Sequence, residues 1–134
     1  MSVELSGART LSQLRAQHAW QQVEKIKPTE VEQYAAEAKK LPFQIRNAGL
    51  LQTMTFFKSK KKTVGSLESV EAWLEQRKVV EQGKLFQTLC EKGTAVQLRR
   101  ITREALAYLE WIVRFSEASD KEREQRERQN GGSK

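Results

Sequence analysis

Two prolines, seven glycines, one cysteine and one histidine are all that 134 residues contain of these types. So little proline and glycine, with both prolines in the first third, leaves few places where helices must break. One cysteine, Cys90, excludes an internal disulfide. A single histidine, His18, with no Cys/His cluster of zinc spacing, excludes the common zinc sites, and no P-loop, GxGxxG or GxSxG occurs. No apolar run approaches the roughly 20 residues of a membrane span. Glu4 and Ser6 stand where a secretory signal needs a basic and then an apolar run, so the expected compartment is the cytoplasm. With so few catalytic ingredients, no catalytic residue, metal site or cofactor is expected.

What is present points to helices. Hydrophobic residues make up 38% of the chain and charged residues 31%, enough apolar material for one modest core. The expected architecture is all-α: a compact bundle of about five to seven helices over residues 9–118, after a polar lead-in at 1–8. A charged, partly disordered tail is expected at 119–134.

Apolar residues at three- and four-residue steps predict a helix over 9–27, ended by Pro28. His18 lies on the rim of its apolar face, where a half-buried histidine with a backbone or carboxylate partner is expected. Thr29 and Glu32 have capping-box spacing, and Val31, Tyr34, Ala35, Ala38 and Leu41 mark one buried stripe. Pro42 lacks an amide hydrogen and disfavours the α region for Leu41, which predicts a break, a short helix over 42–47, and another over 50–58 after Gly49. A lysine-rich loop follows. A helix from Ser66 is expected to reach Glu81 or Gln82, and Lys84 to Glu91 adds two or three turns up to Gly93, read as a C-terminal cap. Thr94 and Gln97 repeat the capping-box spacing before the cleanest stripe in the chain: Leu98, Ile101, Ala105, Leu109, Ile112 and Phe115. Beyond it, Glu122 with Arg126 and Glu124 with Arg128 are spaced to pair along a helix running into solvent.

Charge then suggests a partner. Lys and Arg number 24 against 17 Asp and Glu, a net charge of +7. The stretch from Glu117 to Lys134 holds five basic and five acidic residues, so the whole excess lies in residues 1–116. The cations gather in three places: Lys39, Lys40 and Arg46; Lys58, Lys60, Lys61 and Lys62; and Arg99, Arg100 and Arg103. Such a surface suits a phosphate backbone held without reading its sequence. No RNP motif or aromatic-stacking signature accompanies it, and Trp20, Trp73 and Trp111 all lie in helical segments.

Two stretches carry more than pattern. Residues 40–57, KLPFQIRNAGLLQTMTFF, and 102–118, TREALAYLEWIVRFSEA, resemble the two characteristic segments of the small α-helical subunit of the type III-B (Cmr) CRISPR RNA-silencing complex. Leu41, Pro42, Ile45, Gly49, Leu50, Gln52, Thr53 and Phe56 fill the first. The second is filled by Thr102, Glu104, Ala105, Leu106, Trp111, Arg114, Phe115, Glu117 and Ala118. The resemblance implies a non-catalytic scaffold that stacks with copies of itself in a minor filament, beside backbone and large subunits, and lines the channel for target RNA. Guide and target RNA would be its nucleic-acid partners, with no membrane involved. Leu41, Ile45, Leu50, Phe56, Leu106, Trp111 and Phe115 read as core. Lys40 and Arg114 are the matched polar positions that could face RNA or a neighbouring subunit. Two other readings fit the residues: a helical protein-interaction adaptor with incidental charge, and a standalone nucleic-acid-binding domain using the basic helix start at Leu98 to Arg103.

Overall fold

Thr10 opens the first of the described helices. Its hydroxyl accepts the Gln13 amide at 3.1 Å while the Gln13 side chain accepts the Thr10 amide at 2.9 Å, satisfying two otherwise orphaned donors. In the computed structural model, which describes residues 8–60 and 63–132, this box starts α1 (Leu11–Glu24). It is followed by α2 (Val31–Ala48), α3 (Leu50–Ser59), α4 (Ser66–Gln76), the single turn α5 (Leu85–Gln87), a π-helical turn over Thr88–Lys92, and α6 (Ala95–Gly132). The described residues thus form an all-α fold of six α-helices with no strand.

The 38-residue α6 is the axis, about 57 Å long at 1.5 Å per residue. Its buried side chains Ile101, Ala105, Tyr108, Leu109 and Ile112 form one face. α1 runs parallel to it, with Arg15 meeting Glu104, His18 meeting Tyr108, and Trp20 meeting Phe115. α2 runs antiparallel, so that Lys39 approaches Glu117 at 4.0 Å and Glu32 approaches Arg123 at 3.7 Å. α4 closes the bundle: Trp73 stacks on Tyr108 with ring centroids 5.3 Å apart, and the Tyr34 and Ser69 hydroxyls share a buried hydrogen bond of 2.8 Å.

α4 has no local side-chain cap, and Gly65 precedes it with φ 98°, a backbone state that disfavours a Cβ. The cap comes from α2. Glu37 accepts the amides of Val64 at 3.2 Å and Ser66 at 3.1 Å together with the Ser66 hydroxyl, placing a carboxylate at the positive end of α4.

Several expectations change. Pro42 does not end α2, which runs unbroken to Ala48. A mid-helix proline costs about 3 kcal/mol. Flanking it on the core side, Leu41 and Ile45 are fully buried, and such burial stabilises by roughly 1.5–3 kcal/mol per side chain, enough to hold the helix through the proline. Gly49, at φ 86°, makes the true break. Thr29 caps nothing: the Glu30 amide closes a turn onto the Lys27 carbonyl, and α2 starts one residue later, which buries Val31.

α4 stops at Gln76 rather than near Glu81. Lys78 takes a left-handed φ of 58°, the Val79 and Val80 amides both turn back to the Leu74 carbonyl, and Val80 is thereby buried. Gly93 is needed for closeness, not for handedness. Its φ is −75°, but a Cβ there would sit 2.7 Å from the Thr88 carbonyl oxygen and 2.8 Å from Leu98 Cδ2. Phe56, expected in the core, is 49% exposed, while Leu106, Trp111 and Phe115 are half-buried.

The charged stretch after Phe115 is helical through Gly132. Glu122 and Arg126 approach at 4.0 Å, and Arg123 is held by Asp120 at 2.9 Å and Glu127 at 2.8 Å. Glu124 and Arg128 form no ion pair among the described residues.

Candidate nucleic-acid interface

The first group of cations rides on α2. Because the helix continues through Pro42, Lys39 and Lys40 lie within it and not at a helix break, while Arg46 stands in its last turn before Gly49. All three are exposed. One helical turn before Phe43 stand Lys39 and Lys40, and one turn after it stand Arg46 and Asn47, so this ring, itself 67% exposed, is bordered by three cations and an amide.

The second group closes α3. Lys58 Nζ sits 4.4 Å from the Phe86 ring centroid, and Lys60 Nζ lies 4.6 Å from Phe56 and 4.9 Å from Phe57. These cation–π contacts pin the ammonium groups against rings of which Phe56 and Phe86 are partly open to solvent. Lys61 and Lys62 lie outside the described residues.

The third group lies on α6. At about 100° per residue, Arg99, Arg100, Arg103 and Arg114 occupy roughly one quarter of the helix circumference, opposite the buried face, over roughly 22 Å of its length. All four are exposed, with exposed Glu110 between Arg103 and Arg114. Arg99 and Arg103 line an open groove with Leu98, Thr102 and Leu106. Among the described residues, Lys40, Arg46, Arg99, Arg100, Arg103 and Arg114 have no ion-pair partner, so their charge is available to an outside anion. The three groups are carried by three different elements.

Beneath this surface lies a polar hub that joins α1, α4 and α6. Arg15 grips Glu104 with two hydrogen bonds, Nε to Oε2 at 2.6 Å and Nη2 to Oε1 at 2.9 Å, and Trp73 Nε1 donates to Oε2 at 2.9 Å. Burial alone would raise the Glu104 carboxyl, but the Arg15 and Trp73 hydrogen bonds hold it below its ordinary value. Next to it, His18 Nδ1 and the Tyr108 hydroxyl share a buried hydrogen bond of 2.6 Å. Burial, helped by Lys25, lowers the His18 pKa, and burial raises that of the Tyr108 phenol, so both remain neutral at pH 7. The expected backbone or carboxylate partner of His18 is therefore replaced by a phenol. Among the described residues no His, Cys, Asp and Glu cluster has the makings of a metal site.

The family described as "CRISPR-associated protein (Cas_Cmr5)" matches residues 11–119, which run from the first residue of α1 to Ser119 of α6. The chain belongs to the Cmr5 family. A Cmr5 relative from Thermus thermophilus, "CRISPR system Cmr subunit Cmr5", is 33% identical over 116 residues, covering 82% of this chain and 96% of that protein. The family match agrees with the resemblance carried by the two motif stretches. It stops short of the last turns of α6, so the helix from Asp120 to Gly132 lies beyond the matched Cmr5 region.

Sequence reasoning placed the cations but not what surrounds them. Glu104 sits inside the Thr-x-Glu-Ala-Leu stretch, and its role as the hub's acceptor follows from Arg15, 89 residues away, a separation that no local pattern records. Phe43 carried a readable signal, an aromatic with Lys, Lys and Arg at helical spacing, which the expected break at Pro42 obscured.

Proposed function

We propose that the chain is the non-catalytic small subunit of a type III-B CRISPR ribonucleoprotein effector in antiviral defence. In this reading it stacks with copies of itself in the minor filament, beside the backbone and large subunits, and lines the channel for target RNA with its basic surface. Membership of the Cmr5 family carries the assembly. The unpaired cations on the outer faces of α2 and α6 support contact with RNA, because phosphates can be held by cations alone while guide–target pairing supplies the sequence. Nothing in this role calls for a membrane, and no helix among the described residues is long and apolar enough to cross one.

The test is the assembled effector carrying Arg99→Ala, Arg100→Ala and Arg103→Ala together. Each lost single-strand phosphate contact flattens the dependence of log affinity on log salt by about 0.7, so three should flatten it by about 2 and weaken target capture at moderate salt. An unchanged slope with normal assembly would remove RNA contact from this reading and leave the adaptor role.

A further inference from the structure

Phe43 is the most exposed large hydrophobic side chain described, at 67%, and it points out of a helix whose opposite face is fully committed to the core through Ala38, Leu41 and Ile45. Among the described residues, no aromatic or cation–π partner engages it. Its neighbours one turn away are Lys39, Lys40, Arg46 and Asn47, all carrying hydrogen-bond donors and none an acid. Lys39 has only a 4.0 Å approach to Glu117, with both side chains well exposed, and Lys40 and Arg46 have no ion pair among the described residues.

We infer that Phe43 is a stacking platform for an unpaired base of single-stranded RNA, with Lys39, Lys40 and Arg46 holding the phosphates on either side of that base. The inference rests on the proposed role in RNA capture and adds to it a mode of binding, base stacking, that the cation clusters alone do not supply. A partner for this patch must satisfy two demands at once: a flat π-face for the ring and negative charge within a few ångströms on both sides. A single-stranded nucleic acid offers both in every nucleotide, and stacking is indifferent to base identity. A protein surface that buried Phe43 would have to place an apolar pocket inside a ring of three solvated cations, at the cost of their desolvation unless acids surrounded it. An anionic lipid surface would satisfy the charge, but one isolated ring adds little apolar anchoring.

The experiment uses the assembled effector and single-stranded oligouridylate and oligoadenylate of equal length containing one 2-aminopurine, with Phe43→Ala, Phe43→Leu and Phe43→Trp variants. Because the side chain is on the surface, circular dichroism should be unchanged in all three. Phe43→Ala and Phe43→Leu are both expected to weaken binding of either oligonucleotide about tenfold and to relieve 2-aminopurine quenching, while Phe43→Trp preserves both. If Leu binds as well as Phe, the contact is merely apolar and the platform is overturned. If binding is unchanged in Phe43→Ala while Arg99→Ala/Arg100→Ala/Arg103→Ala still weakens capture, stacking alone fails and the RNA-lining role survives; if neither has any effect, that role fails too. Tighter binding of the chain to phosphatidylserine vesicles than to either RNA, lost in Phe43→Ala, would reassign the patch to a lipid surface and overturn the inference.

Discussion

Replacing Glu104 with Gln removes one negative charge from the point where three helices meet. Glu104 and Arg15 are only 13% and 20% exposed, and three donors converge on the carboxylate: Arg15 Nε, Arg15 Nη2 and Trp73 Nε1. A carboxamide has one acceptor oxygen, and its NH2 group would face a guanidinium N–H, so at least one of the three bonds is lost and the Arg15 charge is left half-buried without neutralisation. A hydrogen bond to a charged group is worth about 1.5–3 kcal/mol. Breaking a fully buried pair costs about 3–5 kcal/mol, and the partial exposure here keeps the loss below that range. The expected destabilisation is about 2 kcal/mol at neutral pH, or about 6–10 °C in Tm for a domain of this size.

Urea unfolding followed by circular dichroism measures it, and an Arg15→Met partner completes a cycle in which the double variant loses less than the sum of the singles. The pH dependence gives a second reading. Because the folded carboxyl titrates below its ordinary 4.5, the unfolded chain takes up that proton more readily. The stabilisation is therefore complete above about 4.5 and lost as pH falls through the folded value, a limb that Glu104→Gln should lack. A Gln variant within about 0.5 kcal/mol of the parent at neutral pH would refute the reasoning, since errors in such measurements are of that size.

Two further perturbations probe other parts of the fold. His18 is held neutral by burial, so its folded pKa lies below the ordinary 6.5; stability is full above that value and declines as pH falls beneath it, and His18→Phe should flatten this decline in urea titrations between neutral and acid pH. Gly93→Ala drives a methyl against the Thr88 carbonyl and Leu98, and since one of these is backbone, a loss of about 1–3 kcal/mol is expected in thermal unfolding.

Local patterns foretold most of the helices and little of how they meet. The α6 stripe and the Thr94–Gln97 box were legible because periodicity and capping act within a few residues; Gln97 and Thr94 do exchange hydrogen bonds at 2.9 and 3.2 Å. The same reasoning failed at Pro42, where the burial of Leu41 and Ile45, a property of the folded whole, outweighs a local preference. It failed again at Thr29, whose capping box had the right residues at the right spacing while the chain closed a turn one residue on. On the surface, the positions of Lys39, Lys40, Arg46 and the α6 arginines could be named from clustering. Their outward orientation and the company of Phe43 required knowing which face of each helix the core consumes.

The parallel pairing of α1 with α6 has a consequence for synthesis. The contacts Arg15–Glu104 and His18–Tyr108 span 89 and 90 residues, so the first of the described helices is completed by the last. At about 5–20 residues per second, a ribosome needs roughly 4–18 s to deliver the partners of Arg15 and His18 after those residues have been made. During that interval α1 can meet α4, whose Trp73 ring lies 5.3 Å from that of His18, but its side toward α6 stays uncovered, and a chain released before residue 100 could not complete its core. Premature termination should therefore yield insoluble fragments, not a smaller folded domain.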